Sequence, residues 1–200
     1  MIRFTPLAAV LLTTPAFAAP ATIDDVRASL RATTTMTAAF TQTDAHGGVA
    51  RGTLSLARPG RIRFQYDPAT QLVVANGKRL SIVDYQVATV YSYPIRSTPL
   101  GILLDGDADL ARVARVTGQI ANGVLVEARD QKHPDYGTLT LTFIADGAAP
   151  GGLKLIGWTA LDPQNNRTET SLKDIRYNVT LPAASWTFRD PRILPQPPRR

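Results

Sequence analysis

The first regular pattern along the chain is that of an amphipathic helix. Thr22 and Asp25 have the spacing of a capping box, in which two side chains satisfy the free backbone N–H groups at a helix start. Apolar residues then recur at helical intervals, at Ile23, Val26 and Leu30. The pattern predicts a helix over residues 22–33.

After this helix the chain changes to the two-residue alternation of β-strands. Arg61 to Tyr66 alternates strictly between polar and apolar residues, which is typical of a strand with one buried and one exposed face. Turn-forming pairs recur along the rest of the chain: Asp67-Pro68, Asn76-Gly77, Asn122-Gly123, Asp146-Gly147 and Asp162-Pro163. The pattern predicts strands at 36–41, around 54–56, and at 61–66, 72–75, 79–84, 87–92, 124–129, 137–145, 153–161 and 168–177, with a last short strand at 186–188. About eleven strands are too many for a small flat sheet, so the sheet is expected to curl strongly or to close into a barrel.

One segment, at about residues 95–116, interrupts the strands. Its apolar spacing predicts a short helix at 99–104, a break at Gly106 and a second helix at 107–115. Two interpretations are open for this segment. It is either a fixed plug that closes one end of the barrel or a movable lid over a hydrophobic interior.

The N-terminal segment has the pattern of a secretory signal peptide. Arg3 precedes an apolar stretch, and Ala16-Phe17-Ala18 gives a cleavage site of small residues. Cleavage after Ala18 removes residues 1–18 and leaves a single expected domain at 19–200, exported to the periplasm. Loss of Arg3 lowers the formal net charge of +6 by one, and export of a chain with scattered basic residues argues against nucleic acid as a partner.

The sequence carries no convincing catalytic or metal-binding pattern. The chain has no cysteine and no G-x-S-x-G motif, and its two histidines, His46 and His133, lie beside turn residues. The loop Asp130, His133 and Asp135 is a weak metal pattern. The Asp105-Gly106-Asp107 run lacks the spacing and the closing Glu of a calcium loop. We therefore expect no enzyme activity, no cofactor and no metal.

Several short motifs together resemble the LolA family of periplasmic lipoprotein carriers. They occur in the family's order and spacing: Phe40-Thr41-Gln42-Thr43, Gly52-Thr53-Leu54, Ala57-Arg58-Pro59 followed by Phe64 and Tyr66, Asn76-Gly77-Lys78, and Ser97-Thr98-Pro99-Leu100. The resemblance covers most of the mature chain and is strongest over 36–110. It implies a mainly β fold, an incomplete antiparallel barrel of about eleven strands covered by a helical lid.

The resemblance also implies a route and partners. Similar carriers receive acylated lipoproteins from an inner-membrane ABC transporter and pass them to an outer-membrane receptor. That receptor has a similar fold but a lipidated cysteine, so the absence of cysteine favours the carrier. A monomer is expected. A carrier of another acylated lipid or glycolipid, and a rigid structural or interaction domain with a solid core, are the alternatives.

The same resemblance assigns roles to individual residues. Arg58 would act as a latch that hydrogen-bonds backbone carbonyls of the lid, whereas without the resemblance it is a surface Arg that ends a strand before Pro59. The expected lid residues are Pro99, Leu100, Ile102 and Leu103. The candidate cavity residues are the apolar members of the alternating strands, each of which could equally belong to a packed core: Phe40, Leu54, Leu56, Ile62, Phe64, Leu72, Val74, Ile82, Val90, Leu141, Phe143 and Trp158.

Overall fold

The protein folds around one large antiparallel sheet. The computed structural model describes residues 20–95, 101, 104, 110–131, 133–134, 137–162 and 164–192. The predicted signal peptide (1–18) and the lid residues Pro99, Leu100, Ile102 and Leu103 lie outside the described residues. Eleven strands are present: β1 (Thr35–Thr43), β2 (Val49–Ala57), β3 (Arg61–Asp67), β4 (Gln71–Asn76), β5 (Arg79–Asp84), β6 (Thr89–Pro94), β7 (Ala114–Ile120), β8 (Gly123–Ala128), β9 (Thr138–Ala145), β10 (Leu153–Leu161) and β11 (Arg167–Tyr177).

The predicted N-terminal helix is confirmed. Helix α1 (Ile23–Ala32) begins after Thr22, whose hydroxyl accepts a hydrogen bond from the backbone N–H of Asp25, while the Asp25 carboxylate accepts one from the Thr22 N–H at 2.8 Å. The Thr22 hydroxyl also donates to the Asp25 carboxylate at 2.7 Å, and this bond, followed by the one from the Thr22 N–H, holds the pKa of Asp25 below its usual value. Val26 and Leu30 bury the apolar face of the helix against the sheet.

The sheet is strongly curved but does not close within the described part of the chain. Its strand order is β6-β5-β4-β3-β2-β1-β11-β10-β9-β8-β7, so that β6 and β7 are its two edges. Phe64 on β3 and Trp158 on β10 lie four strands apart, which is about 19 Å in a flat sheet. Their ring centroids are nevertheless only 6.0 Å apart. The predicted mainly β fold, with a half-open barrel of eleven strands, is therefore confirmed.

Two elements differ from the sequence prediction. The structure describes residues 110–115 of the predicted helix at 107–115. Of these, Leu110–Val113 form helix α2, and the chain enters β7 at Ala114. Arg115, which lies within the predicted helix, belongs to β7 and pairs with Glu127 of β8. The expected strand at 186–188 is a 3₁₀ turn at Ala183–Trp186. The predicted number of strands was right because these two errors cancel.

The C-terminal segment covers the outer, convex face of β3 and β4. Arg63 donates hydrogen bonds from Nη1 to the carbonyl oxygens of Ser185 and Thr187, at 3.2 and 3.1 Å. Beneath this segment lies a second apolar cluster, made of Leu72, Val74 and Val83 with Tyr85, Val90 and Phe188 packed around it.

This outer cluster corrects three of the predicted cavity residues. Leu72, Val74 and Val90 alternate along their strands with the residues that face the barrel interior, so they lie on the opposite face. They are apolar because the C-terminal segment covers them and not because they line the interior.

Candidate ligand-binding cavity

An apolar cavity of about 350 Å³ lies between the two halves of the curved sheet and opens to solvent. This volume is within the range of about 300–1,000 Å³ that is typical of small-molecule sites. One wall comes from β3, β4 and β5, through Phe64, Tyr66, Val73, Leu80 and Ile82. The other comes from β9, β10 and β11, through Leu139, Trp158, Ala160, Leu161 and Thr168.

Aromatic rings form the base of this cavity. Phe40 packs edge-to-face against Phe64 and Tyr66, with ring centroids 5.4 and 5.2 Å apart, and Phe64 packs in the same way against Trp158. Such pairs add about 0.5–1.5 kcal/mol each beyond the area that they bury. The rings therefore form a rigid apolar surface that joins the two halves of the barrel.

The apolar surface continues from the cavity toward the β6 edge. Ile82 on β5 is 40% exposed, and its cross-strand partner Tyr91 on β6 is 58% exposed. Leu80 and Tyr93 form a second such pair on the same face, with Tyr93 47% exposed. Large apolar side chains left accessible beside a cavity are typical of a ligand-binding or interaction site.

Polar groups occur at two places around the cavity. Asp162 and Asn166, in the turn between β10 and β11, lie at its rim. The Asp162 carboxylate accepts hydrogen bonds from the Asn166 side chain and from two backbone N–H groups, and these bonds lower its pKa. Deeper in the wall, the Tyr66 hydroxyl donates to Gln42 Oε1 at 2.8 Å. Burial raises the pKa of Tyr66, so this hydroxyl stays neutral at physiological pH.

The predicted cavity residues divide into three groups. Phe64, Ile82 and Trp158 line the cavity. Six others point into the barrel but are packed in its core: Phe40, Leu54, Leu56, Ile62, Leu141 and Phe143. Leu72, Val74 and Val90 lie on the outer face, as described above. Sequence reasoning missed Tyr66, Leu80 and Leu139 as lining residues, although their alternation with polar neighbours was a usable signal.

Arg58 is half-buried, on the interior side of the barrel beside helix α1. It directly follows β2, and its Nε donates a hydrogen bond to the carbonyl oxygen of Thr33, the C-terminal cap of α1, at 3.1 Å. Its surroundings include Met36, Leu56 and Phe143. Burial lowers the pKa of the Arg58 guanidinium to about 10, so the side chain remains charged at neutral pH. A half-buried cation at a helix C-terminus is well placed to interact with backbone carbonyls.

The turn that follows Arg58 contacts the interrupting segment. The backbone N–H of Gly60 donates to the carbonyl oxygen of Leu104 at 3.0 Å. The Leu104 side chain is fully buried and belongs to the main core. This described part of the 95–116 segment is therefore anchored beside the Arg58 turn.

Close to Arg58, the hydroxyl of Tyr177 is buried without a hydrogen-bond partner in the described part of the chain. We expect Tyr177→Phe to stabilise the protein by about 1 kcal/mol, because it removes the desolvation cost of that hydroxyl and keeps the ring packing. Urea unfolding of both proteins at pH 7 measures this difference, and a destabilised variant would contradict it.

The pH dependence gives a second readout of the same change. Burial, assisted by the charge of Asp146, raises the pKa of Tyr177 from 10.0 to about 12. The phenol ionises more easily in the unfolded chain than in the folded protein, so the stability of the protein is unaffected by this group below pH 10 and falls as the pH rises toward 12. The Tyr177→Phe variant should lose less stability over this interval than the wild type.

No helix among the described residues is long and apolar enough to cross a membrane. The curved open sheet and its internal cavity define a half-open β-barrel protein with an apolar cavity.

Comparison with known proteins identifies the family. The family described as "Outer membrane lipoprotein carrier protein LolA" matches residues 31–189, and the chain belongs to it. This confirms the resemblance found in the sequence motifs. Because the family consists of carriers and not of enzymes, the expectation that the chain is not an enzyme is confirmed as well.

Individual relatives agree with this membership. The chain is 29% identical over 188 residues to a protein of Chromobacterium violaceum named outer-membrane lipoprotein carrier protein, covering 88% of each chain. It is 28% identical to a protein of the same name from Legionella pneumophila strain Corby, over 84% of this chain and 85% of the relative. An uncharacterized conserved protein from Thermus thermophilus shares the fold, with a TM-score of 0.50 and 12% identity over 87% of this chain and 94% of that chain.

Proposed function

We propose that this protein is a periplasmic carrier that shelters the acyl chains of lipoproteins in the cavity between its two sheet halves. The observation that carries the proposal is the apolar cavity itself, about 350 Å³ in volume and open to solvent. An acyl chain needs an apolar cavity that it can enter and leave. This cavity is open to solvent, and both of its walls are mainly apolar.

The proposed cargo follows from the names of the relatives, and the proposed route follows from the family resemblance of the sequence motifs. The relatives are called outer-membrane lipoprotein carrier proteins, so the cargo proposed here is an acylated lipoprotein bound for the outer membrane. In this route the carrier receives the lipoprotein from an inner-membrane lipoprotein-releasing ABC transporter and hands it to an outer-membrane receptor. It acts as a monomer.

The affinity of such a carrier must be moderate. Burial of each CH₂ contributes about 0.8 kcal/mol, so complete burial of a 16-carbon chain contributes on the order of 12 kcal/mol. Several chains buried at this strength would exceed the practical limit of non-covalent affinity, and release would be very slow. A half-open cavity buries each chain only in part, which favours transfer.

We propose further that Arg58 is the latch of the 95–116 segment. Its guanidinium has five N–H donors, of which Nε bonds the end of α1, and the turn beside it already bonds the backbone of Leu104. Hydrogen bonds from a charged donor contribute about 1.5–3 kcal/mol each, which is enough to hold a lid and weak enough to be broken by incoming cargo.

Mass spectrometry of the protein purified from periplasm tests the cargo. We expect co-purified acylated lipoproteins. Co-purified glycolipid or another acylated lipid would favour the alternative carrier function. A protein with no bound lipid that also ignores a hydrophobic dye would favour a rigid structural domain and would refute transport.

Substitution of Arg58 tests the latch. We expect Arg58→Leu to take up acylated cargo like the wild type. Its transfer of cargo to the receptor should be at least about tenfold slower, because the loss of one hydrogen bond from a charged donor corresponds to about that factor. Transfer is measured with purified carrier and receptor. The control is Arg61→Leu, an exposed Arg three residues further on, which should transfer normally. Normal transfer by Arg58→Leu would refute the latch.

A further inference from the structure

A chain of hydrogen-bonded polar side chains crosses the otherwise apolar wall of the cavity. Tyr66 on β3 donates to Gln42 Oε1 on β1 at 2.8 Å, and Gln42 Nε2 donates to Thr170 Oγ1 on β11 at 3.3 Å. Thr170 is almost completely buried, and Gln42 and Tyr66 both line the cavity. A polar group in such a place costs free energy unless it is hydrogen-bonded, so its presence calls for a reason.

The local backbone is built to bring these side chains together. Strands β1 and β3 are separated by β2, which places them about 9.5 Å apart. The β2 residue between them is Gly52, which pairs with Phe40 on one side and with Tyr66 on the other. Because Gly52 has no side chain, the Tyr66 hydroxyl reaches across β2 to Gln42.

This arrangement fixes the Gln42 amide and leaves one of its N–H groups without a partner among the described residues. A carboxamide has two N–H groups, and within the described residues one of them is bonded, to Thr170. Its oxygen is held by Tyr66, which sets the orientation of the amide plane. The second N–H is thus a fixed donor at the wall of an apolar cavity.

We propose that Gln42, oriented by Tyr66 and Thr170, donates a hydrogen bond to the carbonyl oxygen of a bound acyl group. The inference rests on the carrier function proposed above and adds a specificity that apolar walls alone cannot supply. A plain hydrocarbon or an alkyl ether has no carbonyl to accept this bond. Acyl esters and acyl amides both have one, so the site selects acylated cargo of either kind.

Matched ligands test the proposal directly. 1-Palmitoylglycerol carries an ester, N-palmitoylethanolamine an amide, and 1-O-hexadecylglycerol has the same chain length with an ether and no carbonyl. Each is titrated into the full mature protein loaded with the fluorescent dye 1-anilinonaphthalene-8-sulfonate, and displacement gives the affinity. The wild type should prefer the ester and the amide over the ether by between about twofold and tenfold, the range expected for one neutral hydrogen bond.

The variants assign this preference to Gln42. Gln42→Leu should bind the ester and the ether with equal affinity, and Tyr66→Phe should keep only part of the preference because the amide is no longer held. The matched control is Gln65→Leu, which removes the same group from the outer face of β3, where Gln65 accepts from Arg63. It should keep the wild-type preference, and thermal melts confirm that each variant is folded.

The outcomes separate this proposal from the carrier function. If all three ligands displace the dye equally from the wild type, carbonyl recognition is refuted and the carrier function stands. If Gln42→Leu keeps the wild-type preference, another group recognises the carbonyl and the proposal fails. If no ligand displaces the dye from any protein, the carrier function itself fails. A preference for the ester with none for the amide restricts the recognised carbonyl to esters and contradicts the part of the proposal that covers amides.

Discussion

Substitution of Ile82 by glutamate will abolish acyl binding and leave the fold intact. Ile82 lies on the cavity wall and is 40% exposed, so the new carboxylate remains hydrated in the ligand-free protein. An acyl chain that enters the cavity removes this water, and an ionised carboxylate next to hydrocarbon costs several kcal/mol. We expect the affinity for 1-palmitoylglycerol to fall at least about a hundredfold, since each 1.4 kcal/mol corresponds to about a factor of ten.

The control for this variant is Val87→Glu. Val87 is 66% exposed in the turn between β5 and β6 and is not among the residues that line the cavity. Both variants add one negative charge at an exposed apolar position, but only Ile82→Glu puts it against the ligand. Dye displacement should show normal binding by Val87→Glu, and lowering the pH through the carboxyl pKa should restore part of the binding by Ile82→Glu. If Ile82→Glu binds like the wild type, the acyl chain does not occupy this cavity.

Local sequence signals predicted the elements whose causes are themselves local. The capping box of Thr22 and Asp25 marked the start of α1 correctly because it is a contact between two neighbouring residues. The strict alternation of Arg61–Tyr66 likewise marked β3. Both patterns depend only on the geometry of a single element.

It was harder to predict which side chains of a strand face the barrel interior and which face outward. In β4, Leu72, Val73 and Val74 are all apolar, so alternation does not say which of them face inward. The answer depends on the C-terminal segment, more than 100 residues away, which covers the outer face and is held there by Arg63. A long-range contact of this kind cannot be predicted from the local alternation of polar and apolar residues.

A long-range contact also explains why part of the helix predicted at 107–115 is strand. Ala114 and Arg115 fit a helix as well as a strand, and pairing with β8 decides in favour of the strand. The cavity shows most clearly what local sequence patterns cannot predict. Gln42 interrupts an apolar alternation, and its hydrogen-bond partners lie on β3 and β11. Only the assembled sheet brings these three side chains together.

The structure explains, by contrast, why the motif Gly52-Thr53-Leu54 begins with a glycine. A Cβ atom at Gly52 would overlap the backbone carbonyl oxygen of Gln65 and would come within 2.9 Å of Cε1 of Phe40. The neighbouring strand and the aromatic base of the cavity therefore both require a glycine at this position. The backbone oxygen of Gln65 lies within a hydrogen-bonded ladder and cannot easily move away.

Gly52→Ala should accordingly destabilise the protein by about 3 kcal/mol, the upper part of the range for overpacking a well-packed site. Gly147→Ala is the matched control, since a Cβ there meets nothing within 4 Å, and its stability should stay close to that of the wild type. Urea unfolding compares the two variants. Because Gly52 also gives Tyr66 its path to Gln42, the folded fraction of Gly52→Ala should lose the preference for acyl esters over ethers. A Gly52→Ala protein as stable as Gly147→Ala would show that β2 and β3 can separate without cost, contrary to the tight packing described here.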